Sequence, residues 1–271
     1  MSAAKSARRW LYITGVFVLC AWVIVPIYLV ALGGFGGRMG VFRWPKEFLP
    51  TQSSVQAMLT FMQIEGVAKA ALNSVIAASL CMVFAVALGA PAGYALSRFA
   101  FRGAHAYRLL VLLTRAFPLA ILALPLTVTF IRLGLYDTPL GVALIHTALA
   151  LPFAVLVSSS LFMGIPREYE EAAWVFGCSG IGAFLRVVLP QALPGLAATC
   201  IFAFVISWNE VFAASILTVR ERTLTAYLLS VLIESPPHFR YAGGLLLITP
   251  SVLFIFAVRK YLFSLWGITT R

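Results

Sequence analysis

Six long apolar stretches run through this chain, and they leave it little choice but to fold in lipid. About 20 apolar residues cross the hydrocarbon layer as a helix. Runs near Trp10–Leu32, Ala70–Ser97, Leu109–Ile131, Thr138–Met163, Ala192–Val219 and Tyr241–Val258 reach that length. Of the 271 residues 62% are hydrophobic and 11% charged, against about 25% charged in an ordinary soluble domain. Strand-length alternating segments are absent, which argues against a β-barrel. The first run is too long for a signal peptide and has no small-residue cleavage site. The expected fold is therefore all-α, a polytopic membrane protein with six transmembrane helices. A tail over 1–9, one transmembrane domain over 10–265 and a second tail over 266–271 make up the chain. Two larger segments lie outside the spans, at 33–69 and 166–190.

Short-loop charges set the orientation. The first tail has Lys5, Arg8 and Arg9, the loop after span two has Arg98, Arg102 and Arg108, and the last segment has Arg259, Lys260 and Arg271, all without an acid. Basic residues on the other side are mixed with Glu47, Glu65, Asp137, Glu221 and Glu234. The bias places both termini in the cytoplasm, and with them the segment 166–190. The net charge of +11 is scattered over loops with no basic helix or aromatic platform, which excludes a nucleic-acid site and fits lipid headgroups.

The segment Pro166–Gly195 is a polar island that reads as two short helices hinged at a glycine. Pro166 suits a first helical position, and Glu168, Glu170 and Glu171 sit where the helix dipole favours anions. Tyr169, Ala172, Ala173 and Phe176 recur as one apolar stripe. Gly177 can close the helix in a left-handed conformation, and Ser179 can cap the next one. Pro190 and Pro194 are expected to end that second helix. In the external segment, Val55, Met58, Leu59 and Met62 predict a short amphipathic helix, suited to the membrane surface or to a partner.

Chemistry-bearing clusters are missing. Cysteines 20, 81, 178 and 200 and the three histidines are dispersed, with no metal-ligand spacing and no disulfide framework. There is no phosphate-binding loop, no H-E-x-x-H and no Ser, His and Asp cluster. The chain is not expected to be an enzyme or to bind a cofactor, and any ATP-driven work needs a separate ATPase.

Polar residues inside spans are costly and normally face protein or water. Arg115 lies about 9 Å into span three and Glu210 about 27 Å into span five at 1.5 Å per residue. That depth difference argues against a direct pair, so each is expected to face a cavity or a partner. His146 reads as a satisfied interior residue. Prolines 91, 118, 125 and 152 are expected to kink their spans.

Glu171-Ala172-Ala173, then Gly177, then Leu189-Pro190 resembles the cytoplasmic EAA loop of permease subunits of bacterial ATP-binding-cassette importers. Tyr94–Gly103, Phe117-Pro118, Pro125-Leu126, Leu133–Thr138, Leu151–Phe153 and Ser207–Glu210 are similar to the carbohydrate-uptake, maltose-permease-like branch. The resemblance implies an importer-permease fold with a coupling-helix hairpin. It implies a second similar permease, two ATPase subunits holding ATP and Mg, and an external solute-binding protein. Carried over, Glu170, Glu171, Ala172, Ala173, Phe176 and Gly177 form the ATPase-coupling surface. Phe176 departs from the family, which commonly has an aspartate there. Trp208, Asn209 and Glu210, with Asn73, Ser74 and Arg115, are candidates for the translocation pathway, with lining and packing both open for the span-five motif. The alternative is a secondary transporter or channel that needs no ATPase.

Overall fold

The computed structural model describes residues 2–45, 48–49, 54–99, 101–232 and 235–265, and every regular element among them is helical. The proposed tail at 266–271 lies outside the described residues. In chain order the helices are α1 (Ser2–Phe35), α2 (Gly37–Phe42), α3 (Gln56–Met62), α4 (Val67–Arg98), α5 (Ala104–Leu113), α6 (Leu119–Arg132), α7 (Pro139–Met163) and α8 (Glu168–Val175). They continue as α9 (Gly180–Ala183), α10 (Leu189–Asn209), α11 (Phe212–Leu217), α12 (Leu224–Leu232) and α13 (Pro237–Leu265). Among the described residues, five helical runs are long and apolar enough to cross a membrane: Arg8–Phe35, Val67–Arg98, Pro139–Met163, Gly180–Asn209 and Pro237–Phe256.

The remaining apolar run is a bent pair of helices. Where a single span Leu109–Ile131 was expected, Ala104–Ala116 and Leu119–Arg132 meet at 87°. Phe117 and Pro118 at the corner are both extended, with ψ of 120° and 121°. The ring of Pro118 bars its predecessor from the helical region, so the chain turns at that pair. The fifth run also differs from its expected bounds. Helix continues unbroken from Gly180 to Asn209, through the prolines expected to stop it, and ends where Glu210 becomes extended at ψ 126°. A wide turn at Phe184–Val188 explains the continuity. There the Leu189 N–H reaches back to the Phe184 carbonyl, and the added residue per turn gives the Pro190 ring room against the preceding turn.

The chain divides into two compact units, Met1–Val67 with Ser230–Thr249, and Ala68–Leu229 with Pro250–Arg271. In the first, Gly33 and Gly34 of α1 let α13 approach closely. A Cβ on Gly33 would lie 2.5 Å from the Tyr241 ring, and one on Gly34 would meet Leu245. The α1 side chains from Trp10 to Leu29 are largely exposed and apolar, as a lipid-facing helix requires. α3 falls in the expected external segment, but its buried residue is Phe61, while Val55, Leu59 and Met62 stay exposed. The stripe expected from spacing therefore stays outward, and within the chain the helix packs through Phe61.

The second unit is built on α4, α7 and α10. Lipid offers no hydrophobic drive between helices, so close contact of small residues holds them together. Gly89 and Gly93, one turn apart on α4, face Ala154, Val155, Ser158 and Ser159 of α7; a Cβ on Gly93 would lie 2.6 Å from that of Ser158. Cys81, Ala85, Ala150, Ala154 and Ala203 form a buried cluster across the same three helices. Thr138 starts α7 by accepting the Gly141 N–H at 3.0 Å, with Pro139 in the first turn where no N–H is needed.

Candidate functional site

The segment after α7 folds as the expected hairpin, a helical elbow. α8 starts at Glu168, two residues beyond Pro166, and carries Glu168, Glu170 and Glu171 in its first turn. Its end is a Schellman closure. The Cys178 N–H donates to the Ala173 carbonyl and the Gly177 N–H to the Trp174 carbonyl, both at 2.9 Å, with Gly177 at φ +84°. Ser179 then caps α9 by accepting the Gly182 N–H at 3.1 Å.

The six coupling candidates do not share one face. Glu171, Ala172, Phe176 and Gly177 are exposed, whereas Glu170 and Ala173 are buried at 3% and 8% exposure. The apolar stripe expected from Tyr169, Ala172, Ala173 and Phe176 is split accordingly, with Ala173 turned into the bundle. The outward apolar surface is instead the tip, where Val175, Phe176 and Ile181 are 85%, 87% and 74% exposed.

Glu170 points inward because span two supplies its partners. Arg98 Nε donates to Oε1 and the Tyr94 hydroxyl donates to Oε2 at 2.6 Å. Arg98 also donates to the Ile165 carbonyl at 2.9 Å, and Arg167 donates back to the Arg98 carbonyl. The Tyr94 ring lies 5.6 Å from Phe162 and 4.5 Å from Phe184, so one residue joins α4, α7 and the wide turn. Beside this contact is a cleft of about 280 Å³ that reaches Arg167, Glu171 and Trp174. Tyr94 and Arg98 were not singled out from the sequence as site residues. Their i, i+4 spacing at the end of a span was the available signal.

At the opposite ends of α4, α7 and α10 the carboxylates bind backbone. Glu210 accepts from the N–H groups of Phe212, Ala213 and Ala214 at 2.9, 3.1 and 3.2 Å, which caps α11. Its Oε2 also lies 3.1 Å from His146 Nε2. A carboxylate only accepts, so Nε2 is the donor. Ser207 Oγ stands 2.8 Å from the other ring nitrogen. His146 is fully buried and satisfied, as expected. Asp137, at φ +56°, accepts from Val219, Arg220 and Glu221 at 2.8–2.9 Å. Burial opposes its ionisation, but those three donors outweigh it and hold the carboxyl below its usual range. Glu221 is also held low, by hydrogen bonds from Lys69 and Asn73.

The pathway candidates are therefore dispersed. Asn73 is buried and donates to Glu221 at 3.1 Å, and neighbouring Ser74 accepts the Leu224 N–H at 2.8 Å. Trp208 is buried and stacked on Phe204 at 5.9 Å. Asn209 is exposed and donates to the Val205 carbonyl. Arg115 is exposed in the turn that precedes the broken corner. Glu210 faces His146, in keeping with the depth argument against an Arg115 partner.

Apolar helices of spanning length, with a polar elbow between two of them, mark a multi-pass membrane protein. Residues 85–265 match the family described as "Binding-protein-dependent transport system inner membrane component". The chain belongs to that family and is a permease subunit of an ATP-driven importer. It is 32% identical over 212 residues to a diacetylchitobiose uptake system permease protein of Streptomyces coelicolor, covering 77% of this chain and 70% of that protein. It is 31% identical over 218 residues to a trehalose transport system permease protein of Mycobacterium tuberculosis, covering 76% and 80%. Its fold matches a bacterial ABC transporter involved in the import of the acidic polysaccharide alginate, with a TM-score of 0.75 at 20% identity over 92% of this chain and 93% of that one.

Proposed function

We propose that this permease carries a sugar, polyol or related solute, and that it forms half of the translocation pathway beside a second, similar permease. The relatives named for diacetylchitobiose and trehalose support the solute class. Two cytoplasmic ATPase subunits bind ATP and Mg and perform the hydrolysis, while this chain binds no cofactor and catalyses nothing. An external binding protein delivers the solute. Both termini and the elbow face the cytoplasm, on the acid-free basic loops that carry Arg98, Arg102 and Arg108.

The observation that carries the reading is the elbow tip. Val175, Phe176 and Ile181 expose apolar surface beside the carboxylate of Glu171. A rigid helix end of this kind suits a cleft of a partner with an apolar floor and a basic rim. Ala172 permits close approach, and Gly177 makes the turn that only a residue free to adopt positive φ can make. ATP binding brings the ATPases together, the elbows follow, and the bundle opens outward to the loaded binding protein. Hydrolysis resets it by alternating access. Along the pathway, Arg115 and Asn209 are the candidates with exposed side chains, whereas Asn73, Trp208 and Glu210 shape the wall.

Glu171→Arg and Gly177→Pro test the reading. Each is expected to abolish uptake of labelled trehalose and diacetylchitobiose, and to lose the ATPase from the detergent-purified complex, while the permease is still made and inserted. Wild-type uptake and ATPase retention in both variants would remove the elbow from the mechanism.

A further inference from the structure

Glu170 neighbours the carboxylate that faces outward, yet nothing about its placement serves docking. Its side chain is 4% exposed and that of Arg98 8%. Both carboxylate oxygens are engaged by α4, through Arg98 and Tyr94, partners 72 and 76 residues away in sequence. Tyr94 and Arg98 are one helical turn apart and present their donors on one face. A second bond from Arg98 to the Ile165 carbonyl fixes the strand of chain that leads into α8, and Arg167 closes the loop onto the Arg98 carbonyl.

The covalent chain ties the elbow to α7 on one side and to α10 on the other. It provides no tie to α4. A buried ion pair adds little net stability against its desolvation cost, but it selects one geometry sharply, because displacing one partner leaves an uncompensated charge. We infer that Glu170 is a positioning residue rather than a docking residue: with Arg98 and Tyr94 it forms a clamp that makes α4 move with the elbow. This rests on the coupling role proposed for the elbow and assigns the load path within it. Displacement of α8 then reaches α7 through the backbone and α4 through the clamp.

The test uses the full importer complex with its ATPases. Spin labels replace the exposed Leu72, at the far end of α4, and the exposed Leu124 of α6, in a background lacking the four native cysteines. The distance between them is measured nucleotide-free and after trapping with ATP and vanadate, and ATPase retained per permease is measured on the same samples. Glu170→Gln is expected to keep ATPase retention at the wild-type level while most of the nucleotide-dependent distance change is lost. The charge-exchanged pair Arg98→Glu with Glu170→Arg is expected to restore the change, which a mere loss of folding would not allow. If Glu170→Gln loses the ATPase as Glu171→Arg does, Glu170 belongs to the docking surface and the clamp is overturned. An unchanged distance response in Glu170→Gln overturns it equally. Should Glu170→Gln fail to accumulate, Tyr94→Phe removes only one hydroxyl from the same carboxylate; a partial loss of response then supports the clamp and a wild-type response refutes it. Absence of ATPase from the wild-type complex would instead defeat the coupling role of the elbow.

Discussion

Glu171 at the elbow and the carboxylates at the far end of the α4, α7 and α10 bundle are placed in opposite ways. At the elbow, Glu171 stands exposed beside an apolar tip. At the far end, Asp137 and Glu210 each accept three backbone N–H groups and Glu221 is paired with Lys69 and Asn73. A carboxylate that satisfies backbone donors is part of the architecture, and its removal leaves those donors orphaned. A carboxylate with open solvent around it costs the fold almost nothing to change, so its value lies with a partner.

The contrast is most exposed to failure at Asp137. Asp137→Ala removes the acceptor of three N–H groups and is expected to cost about 3 kcal/mol, read as a lower midpoint of thermal unfolding in detergent. Glu171→Ala should stay within about 0.5 kcal/mol of wild type. Equal losses in the two variants would erase the distinction. His146→Leu comes next, at about 2 kcal/mol, because it strips a buried donor from Glu210 and a partner from Ser207. A melting point unchanged by that substitution would show that Glu210 is fully served by the α11 backbone.

Acidification sharpens the same point with a smaller effect. The Asp137 carboxyl is held below its ordinary value of 3.8. A depressed folded-state pKa contributes stability above the unfolded value, and that contribution is lost as pH falls through the folded one. Stability should therefore decline below about pH 4, and Asp137→Asn should remove that share of the decline. An identical acid limb in both proteins would show that Asp137 does not contribute to it.

The spans were legible because apolar length and membrane thickness leave few alternatives. The elbow was legible because Gly177 and Ser179 specify a helix end and a helix start locally. Other features depended on distant residues. The sense of Glu170 could not be read from three glutamates in one helical turn, since Arg98 and Tyr94 decide it across more than seventy positions. The continuity through Pro190 rests on the wide turn at Phe184–Val188, a register change with no compositional mark. The corner at Phe117-Pro118 had its local cue in the proline. Its angle of 87° goes beyond the kink that such a cue implies. Similarly, that α3 packs within the chain through Phe61 was not legible, because what a short helix buries depends on its neighbours.

The least effect on this chain's own stability is expected at Phe176, which is 87% exposed. Phe176→Asp should leave the melting midpoint within about 0.5 kcal/mol of wild type. Its consequence lies in the complex. Full burial of such a ring is worth about 1.5–3 kcal/mol, so an apolar partner pocket that takes it would lose about tenfold or more in ATPase affinity on the change. The neighbouring Val175 and Ile181 widen the same apolar tip, which places Phe176 at its centre rather than at a polar rim. Retention of the ATPase at wild-type strength by Phe176→Asp would show that Glu171, and not the apolar tip, makes the contact that holds the two subunits together.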